Sequence, residues 1–341
     1  MTWAPRVTGA TSTATTVSTV GTVSPVGKGL VFMAVLVFAS VLFSCTSVGP
    51  ARQASEWTEL GNAWAELGKW DKAGEAWSRA LSLDPGQAVA GYNLARALAE
   101  AGKFDEALST LKPLASRDPD NAALLSLQAY VLHKAGRNDE AVSVYRRVLE
   151  LNAGDAASRF NLAVLLDGAG QAEEALAVYL ELLSLRKDDA ASAYRAGLLL
   201  LASGRYDESV EYLDRFLALK PDSTDGLLAM AKAREGKGEY PEAMEAYKDL
   251  LAKLPADAAA WFDLARLRLT IAEDGAGGRE AMTKALAAGF ADKGKAKALL
   301  DSEGLVDRAG LLVLLTEAGL LTETGALTET EALTGTNPPT P

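Results

Sequence analysis

Glycine recurs at Gly68, Gly102, Gly136, Gly170, Gly204 and Gly238, always 34 residues apart. Few structures satisfy such spacing. Seven residues before each glycine stands a small side chain: Gly61, Ala95, Ala129, Ala163, Gly197 and Ala231. Five residues after it stands another: Ala73, Ala107, Ala141, Ala175, Ser209 and Ala243. Proline closes four of the six units, at Pro85, Pro119, Pro221 and Pro255, while Ala153 and Lys187 stand in the other two.

In the first unit Trp57, Leu60, Gly61, Trp64 and Leu67 follow helical spacing on one face. Gly68 then ends the helix in the left-handed conformation that glycine adopts without penalty. A second helical pattern follows through Ala73, Ala76, Trp77, Ala80 and Leu81. Acids sit where each second helix begins, at Asp71, Asp105, Asp139, Glu173 and Asp207, to cap it or to offset its dipole. Pro241 holds that place in the sixth unit and suits a first helical turn. The expected unit is an antiparallel helix pair whose small residues let the two backbones approach. One pair cannot bury its apolar face alone, so the copies are expected to stack.

This pattern resembles the tetratricopeptide repeat family, with the fullest signature in Trp57, Leu60, Gly61, Trp64, Gly68, Ala73, Trp77, Ala80 and Pro85. The resemblance implies an all-α superhelical solenoid of helix-turn-helix repeats. Six repeats are expected over residues 54–257, and a degenerate seventh over 258–291, beginning with Trp261, Leu264 and Ala265. In that unit a loop, Asp274-Gly275-Ala276-Gly277-Gly278, is expected to replace the turn, with helix resuming near Arg279. Capping helices are expected over 292–320, near 296–300 and 305–315; pairing of Leu311–Leu315 with another chain is the alternative. Residues 321–341, with Glu323, Glu329, Glu331 and no basic residue, are expected to be a disordered acidic tail.

At the other end, residues 30–43 form an apolar run behind Lys28. Fourteen residues fall short of the ~20 that span a bilayer, and the pattern fits a secretory signal within a leader of residues 1–44. The Thr-, Val- and Ser-rich stretch ahead of it is expected to precede a natural start near Val26. Cys45 is the sole cysteine. Leu42-Phe43-Ser44-Cys45 resembles a bacterial lipobox, although Phe43 stands where the pattern places a small residue. That resemblance implies a lipid on Cys45, a short linker over 45–53, and a periplasm-facing lipoprotein of the cell envelope. Plain secretion and an uncleaved anchor are the alternatives.

The formal net charge of −11 argues against nucleic acid, whose phosphates need a basic surface. It also argues against adsorption to anionic lipid, so membrane attachment falls to acyl chains. His133 is the only histidine, no Cys/His cluster offers a metal site, and no Gly-x-x-x-x-Gly-Lys loop offers a phosphate site. An enzyme, a metal and a cofactor are therefore not expected; a cell-wall enzyme would need a catalytic base that the sequence does not supply.

In the family resembled, first helices line a concave groove. Three residues before each small residue come Thr58, Tyr92, Ser126, Phe160, Tyr194, Leu228 and Phe262; one residue after it come Asn62, Arg96, Tyr130, Val164, Leu198, Lys232 and Arg266. Tyr92, Tyr130, Phe160, Val164, Tyr194, Leu198 and Leu228 are the candidate partner-binding residues, an apolar stripe with polar ends. The alternative is that they pack against neighbouring helices. The family's carboxylate clamp is not reproduced: Asn62 and Asn93 fit, but Thr58, Ala123 and Leu127 stand where bases belong. The implied function is an envelope-anchored scaffold that holds a protein or peptide in its groove. The second reading is a transport-associated lipoprotein that binds a small apolar ligand or a solute-binding protein.

Overall fold

The computed structural model describes residues 49–321, and those residues form sixteen helices and no strand. Cys45, the leader, most of the linker's upstream part and residues 322–341 lie outside the described residues. The helices fall into two compact units, one ending at Leu185 and one beginning at Arg186. Nothing in the unbroken 34-residue register announces that division.

The first unit holds four hairpins: α1 (Pro50–Glu66) with α2 (Trp70–Leu83), α3 (Ala88–Glu100) with α4 (Phe104–Arg117), α5 (Ala122–Lys134) with α6 (Asn138–Leu151), and α7 (Ala156–Gly168) with α8 (Ala172–Leu185). The second holds α9 (Ala190–Ala202) with α10 (Tyr206–Leu219), α11 (Thr224–Lys237) with α12 (Tyr240–Lys253), α13 (Ala258–Thr270) with α14 (Gly275–Ala287), then α15 (Lys293–Leu300) and α16 (Arg308–Glu317). Each hairpin closes on itself, and its second helix also packs on the next first helix in the same unit. First helices touch one another as well: α1 with α3, α3 with α5, α5 with α7, and α9 with α11. They form a layer of their own in each unit.

The six periodic glycines all have positive φ, between 73° and 86°. At each, the following amide donates back five residues, as in Lys69 N to Trp64 O at 2.9 Å and Arg137 N to Leu132 O at 2.9 Å, which satisfies a carbonyl the helix would leave unpaired. The small positions do what their spacing implies. A Cβ on Gly61 would lie 2.5 Å from the Trp77 indole, and one on Gly197 2.7 Å from Leu213. Ser209 Oγ crosses the same gap to donate to Gly197 O at 2.8 Å.

One expectation keeps only the second of its two alternatives, and another is corrected. The acids at second-helix starts do not cap: the N-caps are Lys69, Lys103, Arg137, Arg205 and Glu239, without side-chain cap bonds, and the acids lie in the first turn. Their contribution is charge against the helix dipole. Side-chain caps occur instead on first helices, at Asn121, Asp155, Asp189, Ser223 and Asp257. In the seventh repeat, Gly275–Gly278 is no loop but the opening turn of α14, held by Asp274 Oδ1 accepting from Gly277 N at 2.8 Å. Gly278 packs there so tightly that a Cβ would meet Leu269 at 2.4 Å, so close packing, not turn formation, requires the glycine.

The two last helices, expected near 296–300 and 305–315, run over Lys293–Leu300 and Arg308–Glu317. Leu299, Leu300, Leu311 and Leu315 enter the core of the second unit, α16 packs on α14, and Val306 N donates to Leu269 O at 3.0 Å. Among the described residues no helix is long and apolar enough to cross a membrane.

Candidate functional site

The candidate side chains lie on the layer of first helices, and each unit carries its own share. In the first unit the layer opens on polar side chains. Asn62 Oδ1 accepts from Trp77 Nε1 at 3.1 Å and from Asn93 Nδ2 at 2.8 Å, so one amide ties three helices together. Thr58 is buried and donates to Ala54 O at 2.8 Å. Further along, Ser126 and Ser158 share a hydrogen bond of 3.0 Å between α5 and α7.

The apolar share begins with Tyr130 on α5. Its ring is half-buried against the core around Leu111 and Leu127, and its hydroxyl donates to Glu100 Oε1 at 3.2 Å. Burial, and then the Glu100 charge, push its pKa upward, so the phenol stays neutral and its hydrogen bond persists. Phe160 and Val164 are half-buried one turn apart on α7. Phe160 meets Tyr179 edge-to-face with centroids 6.0 Å apart, a geometry that fixes the ring. Behind them Tyr145 is fully buried and accepts from Asn161 Nδ2 at 3.1 Å.

Tyr92 departs from expectation. It is 2% exposed and belongs to the core with Leu111, Leu114 and Leu124, where burial pushes its phenol up to about 12. A side chain sealed this way offers no surface to a partner. Phe262, at the equivalent position of the seventh repeat, is likewise buried, stacked on Phe290 at 4.4 Å.

In the second unit Tyr194, Leu198 and Leu228 are half-buried and rest on the core. The Tyr194 ring lies tilted 37° on Phe216 at 4.8 Å. Each therefore has one side in the core and one outside it, which combines the two sequence readings. Beyond them the layer turns charged. Arg266 donates to Glu235 Oε1 at 2.5 Å, and the Tyr247 hydroxyl lies 3.4 Å from both Glu235 Oε2 and Asp263 Oδ2. Burial raises the Asp263 pKa against the pull of Arg266. The spacing in sequence held no sign of this network, because its members come from α11, α12 and α13.

His133 is half-buried on α5, and burial together with Lys134 holds it below the usual histidine range. Among the described residues no three His, Cys, Asp or Glu side chains gather as a metal site would require. The layer offers rigid aromatic and aliphatic edges with hydrogen-bonding groups beside them, a surface suited to contact.

Two family models match this architecture. One, for the TPR domain of cytochrome c-type biogenesis protein H, matches residues 50–159; another, for tetratricopeptide repeats, matches residues 132–198 and 200–266. The chain is a tetratricopeptide repeat protein. Solved TPR structures are similar to it. The pilF protein of Pseudomonas aeruginosa is 19% identical, with 61% of this chain and 95% of that one covered at a TM-score of 0.52, which supports the fold. A tetratricopeptide repeat protein from Parabacteroides merdae is 17% identical over 73% and 97% of the chains (TM-score 0.49). YrrB, described as a TPR protein with an unusual peptide-binding site, is 23% identical over 51% and 90% (TM-score 0.45). No curated protein matches. TPR domains bind protein or peptide partners, and the repeats make this chain a scaffold for protein–protein interaction.

Proposed function

We propose that this TPR protein is an envelope scaffold, lipidated at Cys45 and facing the periplasm, that docks a protein or peptide on its first-helix faces without catalysing a reaction. The observation that carries the docking is the half-buried state of Phe160 and Val164 in one unit and of Tyr194 and Leu198 in the other. Aromatic edges held in place by Tyr179 and Phe216 lose little entropy when a partner covers them. On either unit, a docked segment of extended or helical chain would bury the outer sides of that unit's own rings and reach the polar groups beside them. The anchoring part is supported by the sequence alone, through the apolar run of residues 30–43 and Cys45 behind it.

The test has two arms. Purification from detergent-solubilised envelope is expected to recover a partner with the wild type and to lose it with Phe160→Glu plus Tyr194→Glu, while far-UV circular dichroism stays unchanged. Loss of helix in that variant would show both rings to be structural and sink the docking face. Separately, Cys45→Ala is expected to abolish labelling by a palmitate analogue; label that persists in the variant contradicts the lipid anchor.

A further inference from the structure

Four of the six tryptophans fall within the first hairpin: Trp57, Trp64, Trp70 and Trp77. Trp77 is core. Trp57 and Trp64 are only half-buried; they gather with Ala63 and Leu67 around Leu60 and Ala76, and their other sides pack on the hairpin's core of Ala73, Trp77 and Ala80. In the repeat that follows, the residue in register with Leu60 is Leu94, which packs on the hairpin before it, 3.9 Å from where a Cβ on Gly74 would stand. The side of α1 around Leu60 is thus the side that a preceding hairpin would cover, and α1 is the first of the described helices.

Two lysines border this side. Lys69 Nζ lies 5.2 Å and Lys72 Nζ 4.7 Å from the Trp64 ring centroid. Tryptophan with flanking lysine is the combination that prefers the headgroup region of a bilayer: the indole body is apolar, its N–H wants a polar partner, and lysine stems reach outward to phosphate. Only four residues separate Cys45 from Pro50. At about 3.5 Å per residue the start of α1 then lies within roughly 20 Å of acyl chains on Cys45, less than the ~25 Å length of α1 itself.

We propose that this outer side of the first hairpin, built on Trp57, Trp64 and Leu67 with Lys69 and Lys72, lies on the headgroup region of a lipid bilayer. The proposal rests on the anchoring reading above. The acyl chains supply the affinity, as the acidic chain requires, and the tryptophan side sets the orientation. The hairpin thereby takes from lipid the cover that later repeats take from a neighbour.

The test uses the full acylated protein in vesicles of phosphatidylethanolamine and phosphatidylglycerol whose acyl chains carry bromine near the headgroup. Tryptophan fluorescence of the wild type is expected to be quenched at least twofold more than that of Trp57→Phe plus Trp64→Phe. In the unmutated protein, acylation of Lys69 and Lys72 by a water-soluble reagent is expected to slow severalfold on vesicle binding, with Lys293 on α15 unaffected. Equal quenching in both forms, or unchanged lysine reactivity, while the protein still floats with the vesicles, overturns the proposal and leaves anchoring intact. That result would point to a second copy as the cover. Failure of the wild type to float removes the anchor and this proposal with it.

Discussion

The first hairpin and the last helices face the same problem, an apolar side with no further repeat to cover it, and answer it differently. After α14 the chain supplies its own cover: α15 and α16 bury Leu299, Leu300, Leu311 and Leu315, and Arg279 pairs with Asp307 beside them. Beside α1 the described residues supply none. There Trp57, Trp64 and Leu67 are half-buried, with lysine ammonium groups over one indole. Capping by leucine is a folding device, because it removes surface from water for good. A border of tryptophan and lysine leaves surface for something to cover later.

The largest expected effect lies in the sealed end. Leu315→Ala removes a fully buried side chain and should cost ~2–5 kcal/mol in urea unfolding of the second unit. A negligible cost would mean that α16 is not a structural cap. Gly61→Ala comes next. Its methyl would press into the Trp77 ring, and ~1–3 kcal/mol of destabilisation is expected in the first unit. An unchanged midpoint would show that the first hairpin accommodates the methyl that Ala95, Ala129, Ala163 and Ala231 carry at the same position. Leu67→Ala should be mildest, about 1 kcal/mol or less, because the side chain is already half outside. A loss as large as that of Leu315→Ala would erase the contrast, since it would mean that the first hairpin's outer side is already covered in the isolated protein.

Much of the fold was legible because it is periodic. Each glycine repeats a conformation that only glycine adopts easily, and each small residue repeats one close approach, so errors at one unit are corrected by the next. What was missed breaks the period. Gly275–Gly278 read as a loop because glycine-rich runs usually are, yet Asp274 caps a helix there and Leu269 needs the space. The first-helix caps at Asn121, Asp155, Asp189, Ser223 and Asp257 stood two residues after each closing position, a signal present but overlooked beside the more conspicuous acids. The candidate face was legible only in part. Register identifies which residues share a layer, but not how far each ring sinks into it: Tyr92 and Phe160 occupy equivalent positions, and one is core while the other is half outside. Neighbours far in sequence decide that depth, as they decide the Glu235, Tyr247, Asp263 and Arg266 network.

Site-specific photo-crosslinking in intact cells bears most directly on the docking face. A benzophenone side chain at Val164 or Leu198 should trap a discrete protein adduct, and one at Ser184 or Lys253, exposed on second helices, should not. Adducts that form only from Ser184 or Lys253 would place the partner on the opposite layer and contradict a scaffold that works through its first helices.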